Sequence, residues 1–283
     1  MSTILSIIQD AADLGGLPRP VAAFGSADTT VRQLLAIAQE RGAEAVRLYK
    51  WPQLTKAKTL TLIASEVQPL PADFAELVDS TAWYSNDMTP LTGPITYPQW
   101  QALTQTAASP IKFAFRVQMT STAGRGLAFT PTPTGGESVA IFYRSRSWIR
   151  PKLWATGVLA AVNSYVYSDG QIWKTTNGGT TGANAPTTAN GGNDGTVTWV
   201  AQDMVYDRFL TDTDETFLDK NVLIKGILSR FYRMKGFAYQ DLEAEYQLGL
   251  KTSLAEYNGG RSSDLFRGQG TFISEANIKE GYW

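Results

Sequence analysis

Four acids crowd the stretch ahead of a helical pattern: Asp212, Asp214, Glu215 and Asp219, within TDTDETFLDK. Paired carboxylates are the groups that cleave glycosides, one as acid and the other as base or nucleophile. The competing reading is local. Asp212-x-x-Glu215 has the spacing of a capping box, and acids gather at helix starts because exposed N–H groups there carry partial positive charge. Ser109-x-x-Lys112 has the spacing of a serine nucleophile with its lysine, but Pro110 opposes the helix such chemistry uses. Gly124-Arg125-Gly126 and Gly268-Gln269-Gly270 lack the strand-to-helix setting of a phosphate loop, and no Walker-type lysine motif exists.

The 283 residues contain neither histidine nor cysteine. This removes thiolate and imidazole metal ligands, disulfides, cysteine nucleophiles and histidine bases. Carboxylates, lysine, tyrosine, serine and threonine remain, a restricted set for catalysis. We expect no metal, no cofactor and no enzymatic activity. The carboxylate-only hydrolase stays as a rival.

Binding offers more candidates. Lys220, Lys225, Arg230, Arg233 and Lys235 are five cations with no acid between them. Arg144, Arg146, Arg150 and Lys152 form a second run, interleaved with Tyr143 and Trp148. Either run suits phosphate-backbone contact, which needs no base readout, or a complementary surface on another subunit. The plain alternative is a solvated helix face whose last cations match the C-terminal dipole. Tyr165, Tyr167, Trp173 and Trp199 could stack on sugar rings, although so small a module needs its aromatic residues inside. Phe266, Phe272, Ile273, Ile278, Tyr282 and Trp283 give the tail apolar anchors suited to docking.

The elements that position these residues read as follows. Ile4, Ile7, Ile8 and Ala11 mark a helix from about Thr3 to Leu14, stopped by Gly15-Gly16. A second helix follows Asp28, with Val31, Leu34, Leu35, Ala38, Ala45 and Leu48 as its apolar stripe; Gly42 interrupts the pattern. Alternation at Thr59 to Ile63, Lys112 to Met119, Leu127 to Thr130 and Ser138 to Arg144 suggests about four strands of a small antiparallel sheet. Tyr97 to Thr106 reads as a short helix. From about Ala155 to Gln202 the chain turns rich in Gly, Asn and Thr. Tyr165 to Tyr167, Asp169-Gly170 and Gln171 to Lys174 read there as a tight hairpin. Two long helices follow, meeting at Lys235-Gly236, the first basic and the second mostly acidic.

The expected fold is α+β: a helical bundle of two N-terminal and two long C-terminal helices, a small antiparallel β region and an inserted small all-β module. Expected boundaries are 1–154 and 203–265 for the core, 155–202 for the module and 266–283 for an extended docking tail. A net charge of −1 disfavours a globally basic nucleic-acid binder. No apolar run reaches bilayer length. The start bears Asp10 and Asp13 and no basic residue ahead of its apolar ones, unlike a signal peptide. The chain is expected to begin its life in a host cytoplasm.

Taken together, ILSIIQDAADLGGLPRPVAAFGSADTTVRQLLAIAQERG, Tyr49 to Leu54, Leu70 to Phe74, Pro90-Leu91-x-Gly93-Pro94, Ile227-Leu228, Arg230, Lys235-Gly236 and Tyr239 resemble the head-to-tail adaptor (connector, or neck) proteins of short-tailed bacteriophages. Outside 155–202 the resemblance covers most of the chain. It implies a structural virion protein at the head-tail junction, forming a dodecameric ring below the portal vertex. Partners would be its own copies, the portal protein, a tail nozzle, tail tube or fibre protein, and genomic DNA passing non-specifically through the lumen; no membrane is involved. The C-terminal extension of such proteins docks on the portal. Residues 155–202 depart from the compact adaptor pattern and look like small β decorations of phage structural proteins, sometimes associated with glycans. A carbohydrate-binding tail or decoration protein is therefore the alternative. Cyclic rings need two complementary side surfaces, which a basic and an acidic helix could supply.

Overall fold

The computed structural model describes residues 2–84, 89–105, 113–120, 124–194, 196–202 and 204–257. Five α-helices occur among them: α1 (Ile4–Leu14), α2 (Thr29–Leu48), α3 (Tyr97–Gln105), α4 (Lys220–Lys235) and α5 (Gln240–Tyr257). Local chemistry sets their ends. The Thr3 hydroxyl accepts from the Ser6 N–H at the start of α1, and Asp28 accepts from the Thr30 N–H at the start of α2. Gly236 closes α4 in the left-handed region, at φ 79°, and its N–H is donated back to the Arg233 and Tyr232 carbonyls. α2 runs through Gly42, where any larger residue would meet the Trp148 ring. The glycine that breaks the sequence pattern is thus a packing requirement.

Sixteen strands accompany the helices among the described residues, in five sheets. In chain order they are β1 (Ser2–Thr3), β2 (Thr55–Thr61), β3 (Val67–Pro69), β4 (Phe74–Leu77), β5 (Trp83–Tyr84), β6 (Thr89–Pro90), β7 (Ala114–Thr120) and β8 (Gly124–Thr130). They continue as β9 (Ser138–Ser145), β10 (Ile149–Arg150), β11 (Leu159–Ala160), β12 (Tyr165–Ser168), β13 (Gln171–Thr175), β14 (Gly179–Thr180), β15 (Trp199–Gln202) and β16 (Glu215–Thr216). All strand pairings in these sheets are antiparallel.

Among the described residues, three apolar cores result. The first joins α1, α2, α4 and α5 but also takes in Trp148, Ile149, Ile172, Tyr206 and Phe209 from strands and connecting segments. The second lies between the sheet β2-β9-β5-β6, with β4 also on β9, and the sheet β3-β8-β7; Leu60, Val139, Ile141 and Tyr143 meet Phe115, Leu127 and Phe129 there. The third is small: Ala160, Trp173, Val197 and Trp199, flanked by Trp154 and Val166, under β12-β13-β15 and β11-β14.

The expected architecture is corrected on this point. The chain is mixed α+β throughout, not a helical bundle bearing a small β region. The helices do not close on themselves, because residues from β10, β13 and the 204–209 segment complete their core. The β structure between α2 and β10 is two facing sheets with their own core, where alternation alone suggested about four strands. A strand face that is buried needs an opposing layer, and one sheet cannot supply both.

Candidate functional site

The acidic stretch before α4 is dispersed by the fold. Asp214 is fully buried and accepts from the Tyr206 hydroxyl at 2.9 Å, the Leu210 and Thr211 N–H groups at 2.5 and 2.8 Å, and the Thr211 hydroxyl at 2.7 Å. Burial, then the Asp214 charge, pushes the Tyr206 phenol well above its usual range. Asp212 accepts from the Ala23 and Phe24 N–H groups at 3.0 and 2.9 Å. Glu215 sits in β16 and pairs with Arg150 at 2.8 Å. The cap of α4 is Asp219, whose carboxylate accepts from the Asn221 and Val222 N–H groups. The capping-box reading of Asp212 and Glu215 therefore gives way to a buried turn. Each carboxylate is bound by a different part of the chain, which is a structural use of charge. Among the described residues no group of three or more acids is placed to hold a metal ion.

The cations of α4 are shared out among neighbouring helices. Lys220 pairs with Asp10 of α1 at 2.6 Å, Lys225 with Glu245 of α5 at 2.7 Å, and Arg230 with Glu40 of α2 at 2.8 Å. Arg233 lies over the Tyr239 ring and Lys235 over the Phe231 ring, at 5.6 and 5.3 Å. In the second run, Arg144 pairs with Glu76, Arg146 donates to the Ala72 carbonyl and Arg150 pairs with Glu215, while Lys152 stands exposed. Five of the nine predicted cations are thus paired with an acid of the same subunit.

The most heavily engaged charge escapes a sequence reading. Arg41, only 6% exposed, donates to the Gly226 carbonyl, the Ser229 hydroxyl, Glu44 and Glu243, and lies 5.0 Å from the Tyr246 ring centre. The Tyr246 hydroxyl donates back to the Arg41 carbonyl at 3.0 Å. Burial alone would lower the Arg41 pKa, but the bond to Glu44 and the charges of Glu243 and Glu44 raise it, so it stays a cation. Burial likewise acts against the Glu243 carboxylate, yet Gln247, Ser229 and Arg41 hold its pKa below the ordinary range. The signal in the sequence is faint: Arg41-x-x-Glu44 beside the small residues Gly226 and Ser229.

Within 155–202 the indole rings are enclosed. Trp173 and Trp199 are 3% and 1% exposed. The Trp173 indole donates to the Ser168 carbonyl at 3.0 Å. Asp194 accepts from the Trp199 indole N–H at 2.9 Å and from the Val197 and Thr196 N–H groups. Burial works against its charge, but these donors bring its pKa below the usual value. Tyr165 and Tyr167 are half-buried against the helical core, Tyr165 edge-on to Tyr206. The exposed large apolar side chains there are aliphatic, Val158, Leu159, Val162 and Val200, among many exposed polar ones. Such groups offer no flat ring for a sugar.

Two apolar surfaces face outward. On β5 and β9, Trp83 and Phe142 are 44% and 47% exposed, Trp83 directly opposite Ala140 and Phe142 two residues along the strand from it. A groove runs between α1, α4 and α5, with Ile224 and Leu228 in its floor, Leu14, Tyr232 and Leu242 along its walls, and Asn221 and Lys225 at one end. The sequence reading passed over both, since each joins residues distant in the chain. Phe266, Phe272, Ile273, Ile278, Tyr282 and Trp283 lie outside the described residues, as do Ser109, Lys112 and Gly268 to Gly270. No described helix is long and apolar enough to cross a membrane.

The family model described as SU10 adaptor protein matches residues 2–169, more than half of the chain. That span includes α1, α2 and both facing sheets. No curated protein matches the chain.

Proposed function

The chain belongs to the SU10 adaptor protein family, a family of phage structural proteins, and from that premise we propose that it forms the ring joining portal to tail and continues the DNA channel between them. The single observation that carries this reading is the family match over residues 2–169. The charge arrangement supports it. Cations and acids are paired within the subunit, while aromatic and aliphatic side chains are left outward on the β5–β9 face and along the α1–α4–α5 groove. Apolar residues at the centre and polar residues at the rim are what protein contacts require. A heterologous ring can bury two different such surfaces, one on each side of the subunit. The ring is dodecameric in this proposal. The lumen takes weak, sequence-independent contact from the exposed remainder of the basic residues, Lys152, Arg233 and Lys235 foremost.

Residues 155–202 are, in this proposal, a module carried by a core of 1–154 and 203–265, and they serve the particle's surface. The apolar residues of 266–283 contact the portal. Its site of action is the virion, after assembly in the host cytoplasm. The test is to mix purified chain with portal rings and image the product. A ring of this chain seated under the portal, with density for the channel, is the expected result. Portals that remain bare at saturating concentrations, or a particle carrying this chain only on its outer tail surface, would refute the ring reading.

A further inference from the structure

We propose that in the free subunit the groove between α1, α4 and α5 seats apolar side chains of residues 258–283 of the same chain. Helix direction places the segment's origin at the right end. Gly249 lies against Val222, Gly226 against Tyr246, and Ser229 bonds to Glu243, so α5 runs antiparallel to α4. Tyr257 lies eight residues beyond Gly249, which carries α5 about 12 Å past Val222 at 1.5 Å per residue. Lys220 begins α4 only two residues before Val222. The chain therefore leaves α5 just past the Asn221 end of the groove.

Reach and composition fit the groove as well. From Asn221 to Tyr232 it extends about 17 Å along α4. Phe266 is nine residues after Tyr257, enough for about 30 Å of extended chain, so the first aromatic residue can already lie anywhere along the floor. Phe272 and Ile273 follow with length to spare. The floor and walls are Ile224, Leu228, Tyr232 and Leu242, and Leu14 at the lip is 67% exposed despite its size. A tethered segment meets such a surface at high effective concentration, without the entropic cost of bringing two molecules together. A portal that binds the same residues must then compete with this groove.

The absence of cysteine makes the test direct. In the full chain, Leu14→Cys is combined in turn with Phe266→Cys, Phe272→Cys and Ile278→Cys, and mild oxidation is followed on non-reducing gels. Ala36→Cys, on an exposed position of α2, replaces Leu14→Cys in the controls. At least one pair should close within a single chain about tenfold faster than its control. Links that form only between two chains would show that a neighbour's segment fills the groove, and the same-chain assignment would be overturned. Equal rates for groove and control positions would overturn the groove as a seat altogether.

Discussion

The helical core and the 155–202 region each close around a buried charge, but they use it at different range. Arg41 ties together α2, the middle of α4 and the start of α5, through partners at Gly226, Ser229 and Glu243. Asp194 accepts from Thr196, Val197 and Trp199, all within five residues, and the Trp154 indole lies close to the same carboxylate. The first charge joins segments some two hundred residues apart in the chain. The second organises a local loop around two tryptophans. One is a tertiary device, the other a turn with a lid.

Removing the cation should break the comparison most visibly. Arg41→Ala leaves Glu243 and Ser229 facing an apolar gap, and loss of one partner of a buried pair costs about 3–5 kcal/mol. Chemical denaturation followed by helical circular dichroism should show the full loss. Trp199→Ala should cost about 3 kcal/mol, confined to the small core. Hydrogen exchange should rise across β12, β13 and β15 and stay unchanged in α1 and α4; a uniform rise would show that the two regions unfold together.

Asp194→Asn keeps the shape but loses charge-assisted bonds, for about 1–3 kcal/mol in the same local readout. Acid tests both regions at once. The Glu243 and Asp194 carboxyls both lie below their unfolded values, so their contribution is complete above the ordinary carboxylate range. It drains away as the pH falls through the depressed folded values. Stability measured downward from neutral pH should hold to about pH 5 and then decline. The smallest effect is expected at the surface: Lys220→Ala, which frees Asp10, should change stability by less than about 1 kcal/mol.

Local rules carried far along this chain, and failed where a distant partner decides. α1 and α2 follow from their apolar spacing, with Asp28 as the cap of the second. The hairpin turn at Asp169-Gly170 shows positive φ at both residues, as its dipeptide suggests. Asp212 could not be told from Asp219 as the cap of α4, because its true donors are Ala23 and Phe24, nearly two hundred residues away. Gly42 looked like a flaw only because Trp148 is out of sight in one dimension. The same holds for the candidate surfaces. The basic run on α4 is plain in the sequence, yet the acids that neutralise it come from three other helices. The groove needs Leu14, Leu228 and Leu242 together, and no spacing rule links them.

The short sheet β1-β16-β10 sets the order in which the subunit can be completed. Ser2 and Thr3 pair with Thr216 and Glu215, and the Ile4 N–H is donated to the Asp214 carbonyl at 2.8 Å. During synthesis the earliest residues therefore wait for some two hundred others before their backbone finds its partners, whereas the facing sheets between α2 and β10 can close first. In a nascent adaptor the pairing of Ser2 and Thr3 therefore comes after that of the facing sheets, and it ties the start of α1 to the segment that leads into α4.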